Sequence, residues 1–199
     1  MQYFAGMQQD DFFIHPTAVI DNGAVIGRGS KIWHFCHLMP KSRIGTDCIL
    51  GQNIYIDNNV TIGNRVKIQN NVSVYNGVEV EDDVFLGPSM VFTNVTNPRS
   101  FIERKNEFKK TIIRKGATIG ANATLLCGIE IGSYAMIGAG TMIISNIAPY
   151  ALVVGNPARQ IGWVSEAGIT LDFDAEGLAI CPSTGKKYRL KNEWVIPQP

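Results

Sequence analysis

Residues 14–38 read IHPTAVIDNGAVIGRGSKIWHFCHL, and a large aliphatic residue recurs in this stretch at every sixth position. A small or medium side chain stands four residues after most of them, and glycine often follows directly. An α-helix would need a spacing near 3.6, and a hairpin sheet would break its alternation at irregular turns. The period predicts short strands joined by tight turns. The period continues to residue 92. Its fourteen large apolar residues, called the ladder below, are Ile14, Ile20, Ile26, Ile32, Leu38, Ile44, Leu50, Ile56, Ile62, Ile68, Val74, Val80, Leu86 and Phe92.

Three six-residue units are expected to close one triangular coil, and coils should stack at roughly 4.8 Å, the spacing of neighbouring strands. The ladder then becomes one core, so the predicted fold class is all-β, a parallel β-helix. The period resumes at Ile113, which lies 99 residues after Ile14 and therefore out of phase with a six-residue repeat. We expect an inserted loop at about 94–112. The predicted domains are an N-terminal extension (1–13), the β-helix (14–162) and a C-terminal extension (163–199).

Composition and charge exclude several classes of protein. Charged residues make up 18% of the chain and the net charge is +1, which argues against a general binder of nucleic acid or membrane surfaces. No apolar run approaches the roughly 18 residues of a membrane span, and the N-terminus lacks the pattern of a secretion signal. We therefore expect a cytoplasmic protein. Its four cysteines form no CxxC pair and are expected to be reduced.

An eighteen-residue coil predicts which side chains lie above one another. Asparagines at coil corners commonly tolerate the turn geometry and form amide ladders, and this is the simplest interpretation of such columns. Asn94 differs, because it ends its column where the chain leaves the coil for the inserted loop. The columns are Asn58, Asn76 and Asn94; His34, Gln52 and Asn70; Asn53 and Asn71; and Asp57, Tyr75 and Thr93.

The inserted loop is basic. Between residues 99 and 115 seven basic residues face two acidic ones, a local balance of +5, so the rest of the chain sums to −4. An excess of this kind beside a cleft favours an anionic ligand such as a diphosphate or a carboxylate. We take Arg99, Arg104 and Lys105 as candidate substrate-binding residues. The seven are Arg99, Arg104, Lys105, Lys109, Lys110, Arg114 and Lys115.

Several segments carry a resemblance to a known family: IWHFCH (32–37), QNNVSVYNGV (69–78), GPSMVFTNVTNPRS (87–100), IERKNEF (102–108), GATIGANATLLCG (116–128), PYALVVGNPARQIGW (149–163) and CPSTGKKYRL (181–190). The chain resembles the hexapeptide-repeat acyltransferases over about residues 14–162. It looks most like the N-acetyltransferases that act on UDP-2-acetamido-3-amino-2,3-dideoxyglucuronate in making bacterial surface polysaccharides, O-antigen among them.

This resemblance implies a left-handed helix and a homotrimer with active sites in the clefts between subunits. It also implies acetyl-CoA as cosubstrate and a UDP-amino-sugar as substrate. From the spacing of the three histidines we expect no metal. CoA would lie along the later coils, where Gly138 and Ala139 let its pantetheine arm approach the backbone and where Arg159 and Lys115 meet its phosphates. The predicted substrate-binding residues besides the loop cations are His34, Gln52, Asn70, Tyr75 and Asn76.

Many members of this family use a loop histidine as a base, but the loop here contains none; the histidines are His15, His34 and His37. A sugar amine should titrate near the α-amino value of about 8, so part of it is already nucleophilic at neutral pH. We therefore predict that Asn94 is the catalytic residue. Its side-chain amide would orient the 3-amine while backbone N–H groups stabilise the oxyanion.

Three alternatives remain at this stage. A zinc enzyme of the same fold would need three histidines brought together, which the spacing here does not favour. A scaffold without catalysis is possible on this fold, although it would not need a basic loop. Acetylation of a dTDP-linked 3-amino-3,6-dideoxyhexose, which lacks the carboxylate, competes within the enzyme class.

Overall fold

A computed structural model describes residues 11–199, and short strands make up most of its regular structure. Residues 1–10, most of the predicted N-terminal extension, lie outside the described part. Strands β1 to β11 are Phe13–Ile14, Val19–Ile20, Val25–Ile26, Lys31–Ile32, His37–Leu38, Arg43–Ile44, Ile49–Leu50, Tyr55–Ile56, Thr61–Ile62, Lys67–Ile68 and Ser73–Val74. Strands β12 to β22 are Val78–Val80, Phe85–Leu86, Val91–Phe92, Thr111–Ile113, Thr118–Ile119, Thr124–Leu125, Glu130–Ile131, Met136–Ile137, Met142–Ile143, Ala151–Val154 and Arg159–Trp163. Strands β23 to β25 are Leu178–Ile180, Lys187–Lys191 and Trp194–Pro197.

Every third strand stacks on the same side, which gives the helix three faces. Face 1 runs β1, β4, β7, β10, β13, β16, β19 and β21, all parallel, and ends with β22 antiparallel to β21. Face 3 runs β3, β6, β9, β12, β15 and β18. Face 2 consists of two sheets, β2-β5-β8-β11 and β14-β17-β20. Strand partners such as Ile14 and Ile32 are eighteen residues apart, so the predicted coil and the β-helix are confirmed.

The six-residue ladder forms the core. Its members from Ile26 to Ile143 are all buried, and Ile32, Leu50 and Leu86 have no exposed surface. Ile14 and Ile20, in the first coil, are partly exposed. Burying one such side chain stabilises the fold by about 1.5–3 kcal/mol, so the stacked coils provide most of the driving force for folding.

The glycines that follow the ladder residues allow the coils to approach closely. A Cβ placed on Gly27, Gly45 or Gly63 would lie 2.4–2.6 Å from backbone atoms of the next coil. No side chain fits at that distance. These positions require glycine because of the neighbouring coil rather than because of a special backbone conformation.

The left-handed turn conformation is shared more widely than the sequence suggests. Asparagine was expected there, but Phe35, Lys41 and Arg65 also have φ between 56° and 63°. The N–H of Arg65 donates to the carbonyl of Thr46 at 2.8 Å, and the N–H of Asp47 donates to Arg28 in the same way. Hydrogen bonds between coils therefore offset the cost of the turn for ordinary residues.

The insertion lies between β14 and β15. On face 3, Val80 pairs with Ile113, a step of 33 residues, so this coil carries 15 more residues than the eighteen of the others. The backbone N–H of Lys109 donates to the carbonyl of Asn94 at 3.1 Å and closes the base of the loop. A 3-10 turn at Lys105–Glu107 is the only helical segment within residues 11–199, and it is far too short to cross a membrane.

The C-terminal segment forms a small antiparallel sheet of β23, β24 and β25 on the end of the β-helix. It has its own buried cluster, in which the Tyr188 ring meets Tyr150 edge-on at 5.9 Å and Tyr150 stacks on Tyr134 at 5.3 Å. Tyr134 and Tyr150 belong to the last coils, so these rings attach the extension to the helix. All four cysteines are buried and unpaired.

Replacing Gly63 with alanine should destabilise the fold, because the new Cβ would lie 2.6 Å from the backbone nitrogen of Asp82. We expect a loss of roughly 1–3 kcal/mol in the free energy of unfolding, measured by denaturant titration. Gly162→Ala is the matched control, since a Cβ there has no atom within 4 Å. Equal losses in the two variants would refute the close-approach explanation.

Candidate active site

The predicted asparagine columns divide into structural members and one exception. The side-chain amide of Asn76 donates to Asn58 at 2.6 Å, and that of Asn53 donates to Asn71 at 3.0 Å. These amides hold neighbouring coils together. Asn94 is half-buried, and its side chain makes no hydrogen bond with any other residue of the range 11–199. Its amide is therefore available to a ligand.

Asn94 lies beside a break in face 2. Strands β11 and β14 contact each other, yet they belong to separate hydrogen-bonded sheets. Tyr75 and Asn76 follow β11, one coil below Asn94 and at the same corner. The structure thus brings together three of the predicted residues, Tyr75, Asn76 and Asn94, where the stacking of face 2 is interrupted.

An open cavity of about 540 Å³ lies at the base of the loop, lined by Thr96, Asn97, Glu107 and Lys109. Sequence reasoning did not select these residues as a site. Lys109 was counted in the basic excess, but only the closure of the loop places it next to Asn94. The sole sequence signal was that the loop begins at Asn94 and must return to the coil.

Next to this cavity, Thr93 and Cys127 link the loop to the following coil. The Thr93 hydroxyl donates to the carbonyl of Leu125 at 3.2 Å and accepts the N–H of Cys127 at 2.8 Å. The Thr93 hydroxyl is therefore used within the fold, which fixes the backbone from which the neighbouring Asn94 side chain extends.

Most of the basic residues of the loop are paired with acids. Arg104 contacts Glu107 at 2.8 Å, Lys105 contacts Glu103 at 3.4 Å, and Lys110 contacts Glu79 at 2.7 Å. The +5 balance therefore overstates the free charge, because the coils supply acids that lie far away in the sequence. Within the described chain, Arg99, Lys109 and Lys115 are the members of the seven that form no salt bridge.

Arg114 is the most fully paired of the seven. Its guanidinium contacts Glu81 at 2.7 Å and Glu130 at 2.8 Å, and so ties together three successive coils of face 3. The hydrogen bond from Arg114 lowers the pKa of the Glu130 carboxyl below its usual value. Arg114 therefore has a structural role in the described chain and is not free to bind an anionic ligand.

The three predicted loop cations lie around one cavity. Arg99, Arg104 and Lys105 line a second opening of about 230 Å³, together with Val95, Pro98, Ile102, Glu103 and Phe108. Arg99 donates to the carbonyl of Pro98 at 3.0 Å and is exposed. The Nε of Arg104 is buried and has no hydrogen-bond partner within residues 11–199. The structure thus brings Arg99, Arg104 and Lys105 together, around an opening that is formed by loop residues alone.

The predicted residues His34, Gln52 and Asn70 lie at a different corner from Asn94. They follow successive strands of face 1, and the Asn70 side-chain oxygen accepts the N–H of Gln52 at 2.8 Å. His34 belongs to an early coil, and its ring stacks on His15 at 3.5 Å. The described chain does not bring these three residues to Asn94.

None of the histidines lies at the loop. Desolvation and the neighbouring His34 lower the pKa of His15, and His15 Nδ1 accepts the N–H of Thr17 at 3.2 Å. His37 Nε2 lies 3.1 Å from Asp21 Oδ2. His37 and Val91 occupy one column of face 2, three coils apart, which is roughly 14 Å at the spacing of neighbouring strands. A base at Asn94 would have to come from elsewhere.

The predicted CoA residues lie in the later coils, and Arg159 pairs with Val154, which lies next to Gly138. Gly138 follows β19, and a Cβ there would lie 2.8 Å from Val154 Cγ1, so the valine side chain would have to shift for any larger residue. Ala139 and Arg159 are exposed, and Arg159 donates to the carbonyl of Ala158. The backbone N–H of Lys115 donates to Glu81 at 2.8 Å. The exposed side chain of Lys115 forms no salt bridge in the described chain. No three His, Cys, Asp or Glu side chains of residues 11–199 form a metal-binding group.

Models of known protein families match the β-helix. A model of the bacterial transferase hexapeptide, six repeats long, matches residues 23–58 and 110–145, on either side of the inserted loop. The hexapeptide repeat of succinyl-transferase matches residues 42–76. These matches assign the left hand that a six-residue spacing cannot fix.

Relatives with known activities are also similar. The chain is 42% identical over 177 residues to dTDP-3-amino-3,6-dideoxy-alpha-D-galactopyranose 3-N-acetyltransferase of Aneurinibacillus thermoaerophilus, which covers 89% of this chain and 90% of that protein. This chain is also 29% identical to the bifunctional protein GlmU of Thermotoga maritima, and the match covers 81% of this chain but only 30% of that protein. A variant of GDP-perosamine N-acetyl transferase from Caulobacter crescentus, solved with CoA and GDP-perosamine, shares the fold. Its TM-score is 0.53 at 19% identity, over 76% of this chain and 58% of that one.

Substituting Arg114 with methionine should lower stability at neutral pH. Because the Glu130 pKa is lowered in the folded state, the ion pair stabilises above the ordinary carboxyl pKa of about 4.3 and is lost as pH falls through the lowered value. Denaturant unfolding of R114M and wild type should therefore differ at pH 7 and converge in acid. Arg43→Met, on the same face and outside any salt bridge of residues 11–199, should show no such pH dependence. A gap that persists in acid would count against the pair.

Proposed function

The chain belongs to the hexapeptide-repeat acetyltransferase family, and from this we propose that it transfers an acetyl group from acetyl-CoA to the amine of a nucleotide-linked sugar. The observation that carries the proposal is the Asn94 side chain, unsatisfied within residues 11–199, at the base of the inserted loop and beside the break in face 2. The asparagines at the same corner one and two coils below, Asn76 and Asn58, hydrogen-bond to each other.

The proposed reaction is attack of the sugar amine on the thioester carbon of acetyl-CoA. A C–N bond forms, the C–S bond breaks, and the departing thiolate or solvent takes the proton from nitrogen. The Asn94 amide accepts a hydrogen bond from the amine and directs its lone pair at the thioester. An amine with a pKa near 8 is partly unprotonated at neutral pH, so orientation contributes more than a base.

For the substrate, we propose the 3-amine of UDP-2-acetamido-3-amino-2,3-dideoxyglucuronate, in the synthesis of a bacterial surface polysaccharide. Supporting this are two cations of the loop, Arg99 and Lys109, that lack an acidic partner within residues 11–199. The second candidate is a dTDP-3-amino-3,6-dideoxyhexose, which the 42% identity to the dTDP-sugar enzyme favours. The two differ in the nucleoside, in the substituent on C2, which is an acetamido group or a hydroxyl, and in the group on C5, which is a carboxylate or a methyl.

The CoA site, the oligomeric state and the cellular compartment are proposed from the family resemblance. We assign Lys115, Gly138, Ala139 and Arg159 to acetyl-CoA along the late coils. A homotrimer would let the His34, Gln52 and Asn70 corner of one subunit meet the Asn94 corner of the next, which one chain alone does not achieve. We place the enzyme in the cytoplasm, with its cosubstrate acetyl-CoA.

Asn94→Ala should reduce kcat/KM by about 100-fold, mostly through kcat, because the amine is no longer oriented. The measurement is a steady-state assay of released CoA thiol. Asn106→Ala is the control, since Asn106 is exposed in the 3-10 turn of the same loop. Wild-type kcat/KM in N94A would end the proposed role of Asn94.

The two substrates can be compared directly. Wild-type enzyme should show a kcat/KM at least tenfold higher on the UDP-linked uronate than on dTDP-3-amino-3,6-dideoxygalactose, since a charge-assisted contact to a carboxylate contributes about 1.5–3 kcal/mol. The reverse order would transfer the assignment to the dTDP-sugar and leave the acetyl transfer intact.

A further inference from the structure

Lys109 is held beside Asn94 by the backbone. Its N–H donates to the carbonyl of Asn94 at 3.1 Å, where the two ends of the loop meet. The backbones of Lys109 and Asn94 are therefore neighbours at the base of the loop.

The aliphatic stem of Lys109 is supported by the next coil. A Cβ placed on Gly128 would lie 3.0 Å from Lys109 Cδ and 3.3 Å from its Cβ, so the stem crosses the bare backbone of this glycine. The side chain lines the cavity of about 540 Å³ with Thr96, Asn97 and Glu107. Gly128 itself has a left-handed backbone with φ 85°, so glycine is favoured there whether or not the lysine is present.

The charge of Lys109 is not used within the described chain. Glu107, the acid of the same cavity, accepts from Arg104 through both carboxylate oxygens at 2.8 Å. The adjacent Lys110 pairs with Glu79 at 2.7 Å. Lys109 has no carboxylate within salt-bridge distance among residues 11–199. An ammonium group left in this way at the wall of a cavity is suited to an anionic ligand.

We infer that Lys109 binds the carboxylate of the sugar ring and selects uronic acids over neutral sugars at this site. The inference rests on the proposed function, in which Asn94 contacts the 3-amine. In a glucuronic acid ring the substituents on C3 and C5 are both equatorial and on the same face, with C4 between them, a few ångströms apart. A sugar with its amine at Asn94 can therefore place its C5 carboxylate against Lys109.

The test compares two UDP-sugars that differ only at C6: the proposed uronate and its neutral analogue with a hydroxymethyl group. Lys109→Met should raise KM for the uronate by about tenfold or more, with kcat little changed, since a charge-assisted contact is lost. On the neutral analogue K109M and wild type should agree within about twofold. Lys109→Arg should restore most of the affinity for the uronate. Lys110→Met, the neighbouring lysine paired with Glu79, should match wild type on both.

The outcomes separate the possible failures. An equal loss on both sugars in K109M would assign Lys109 to the shared diphosphate and overturn the inference. No loss on either would also overturn it, while acetylation of the uronate by wild type would leave the proposed function in place. If wild type acetylated only the neutral analogue, both the uronate assignment and the role of Lys109 would be wrong. Thermal unfolding of K109M and K110M should agree, which separates a binding defect from a folding defect.

Discussion

The hydrogen bond from each coil to the coil eighteen residues later is the constraint on which the rest of this structure depends. The N–H groups of Gly27 and Gly45 donate to the carbonyls of Ile44 and Ile62, each at 2.9 Å. The same glycines let the coils approach so closely that no Cβ fits between them. Because backbone bonding and close packing act at the same positions, a coil cannot slip against its neighbour, and each side chain has a fixed place in its column.

This fixed register determines how an insertion is accommodated. The fifteen extra residues of one coil leave at Asn94 and return at Lys109, and the core continues unchanged from Phe92 to Ile113. Charges of the returning segment are bound by acids of the coils, as in the contact of Arg114 with Glu81 and Glu130. The base of the inserted loop is therefore fixed by the coils, and the backbones of Asn94 and Lys109 are held in position there.

The distribution of polar groups suits chemistry that depends on orientation. The histidines are engaged away from the loop, His15 with His34 and His37 with Asp21. An amine nucleophile with a pKa near 8 is partly unprotonated at neutral pH and needs little help from a base. A half-buried amide on a rigid support can provide what remains, which is alignment of the amine with the thioester.

The sequence by itself determined the β-helix, since the six-residue ladder repeats often enough to exclude other periodic folds, and it located the insertion from a break in phase. It also singled out Asn94, because a column of asparagines ends there. The tertiary structure alone decided which loop charges are free: Glu79, Glu81 and Glu130 are distant in sequence and adjacent in space. It likewise separated His34, Gln52 and Asn70 from Asn94, because positions on different faces of a coil do not meet within one chain, and it placed Lys109 beside Asn94. Local periodicity fixes a repeating backbone, whereas pairing of charges and closure of a loop depend on contacts between residues far apart in the chain.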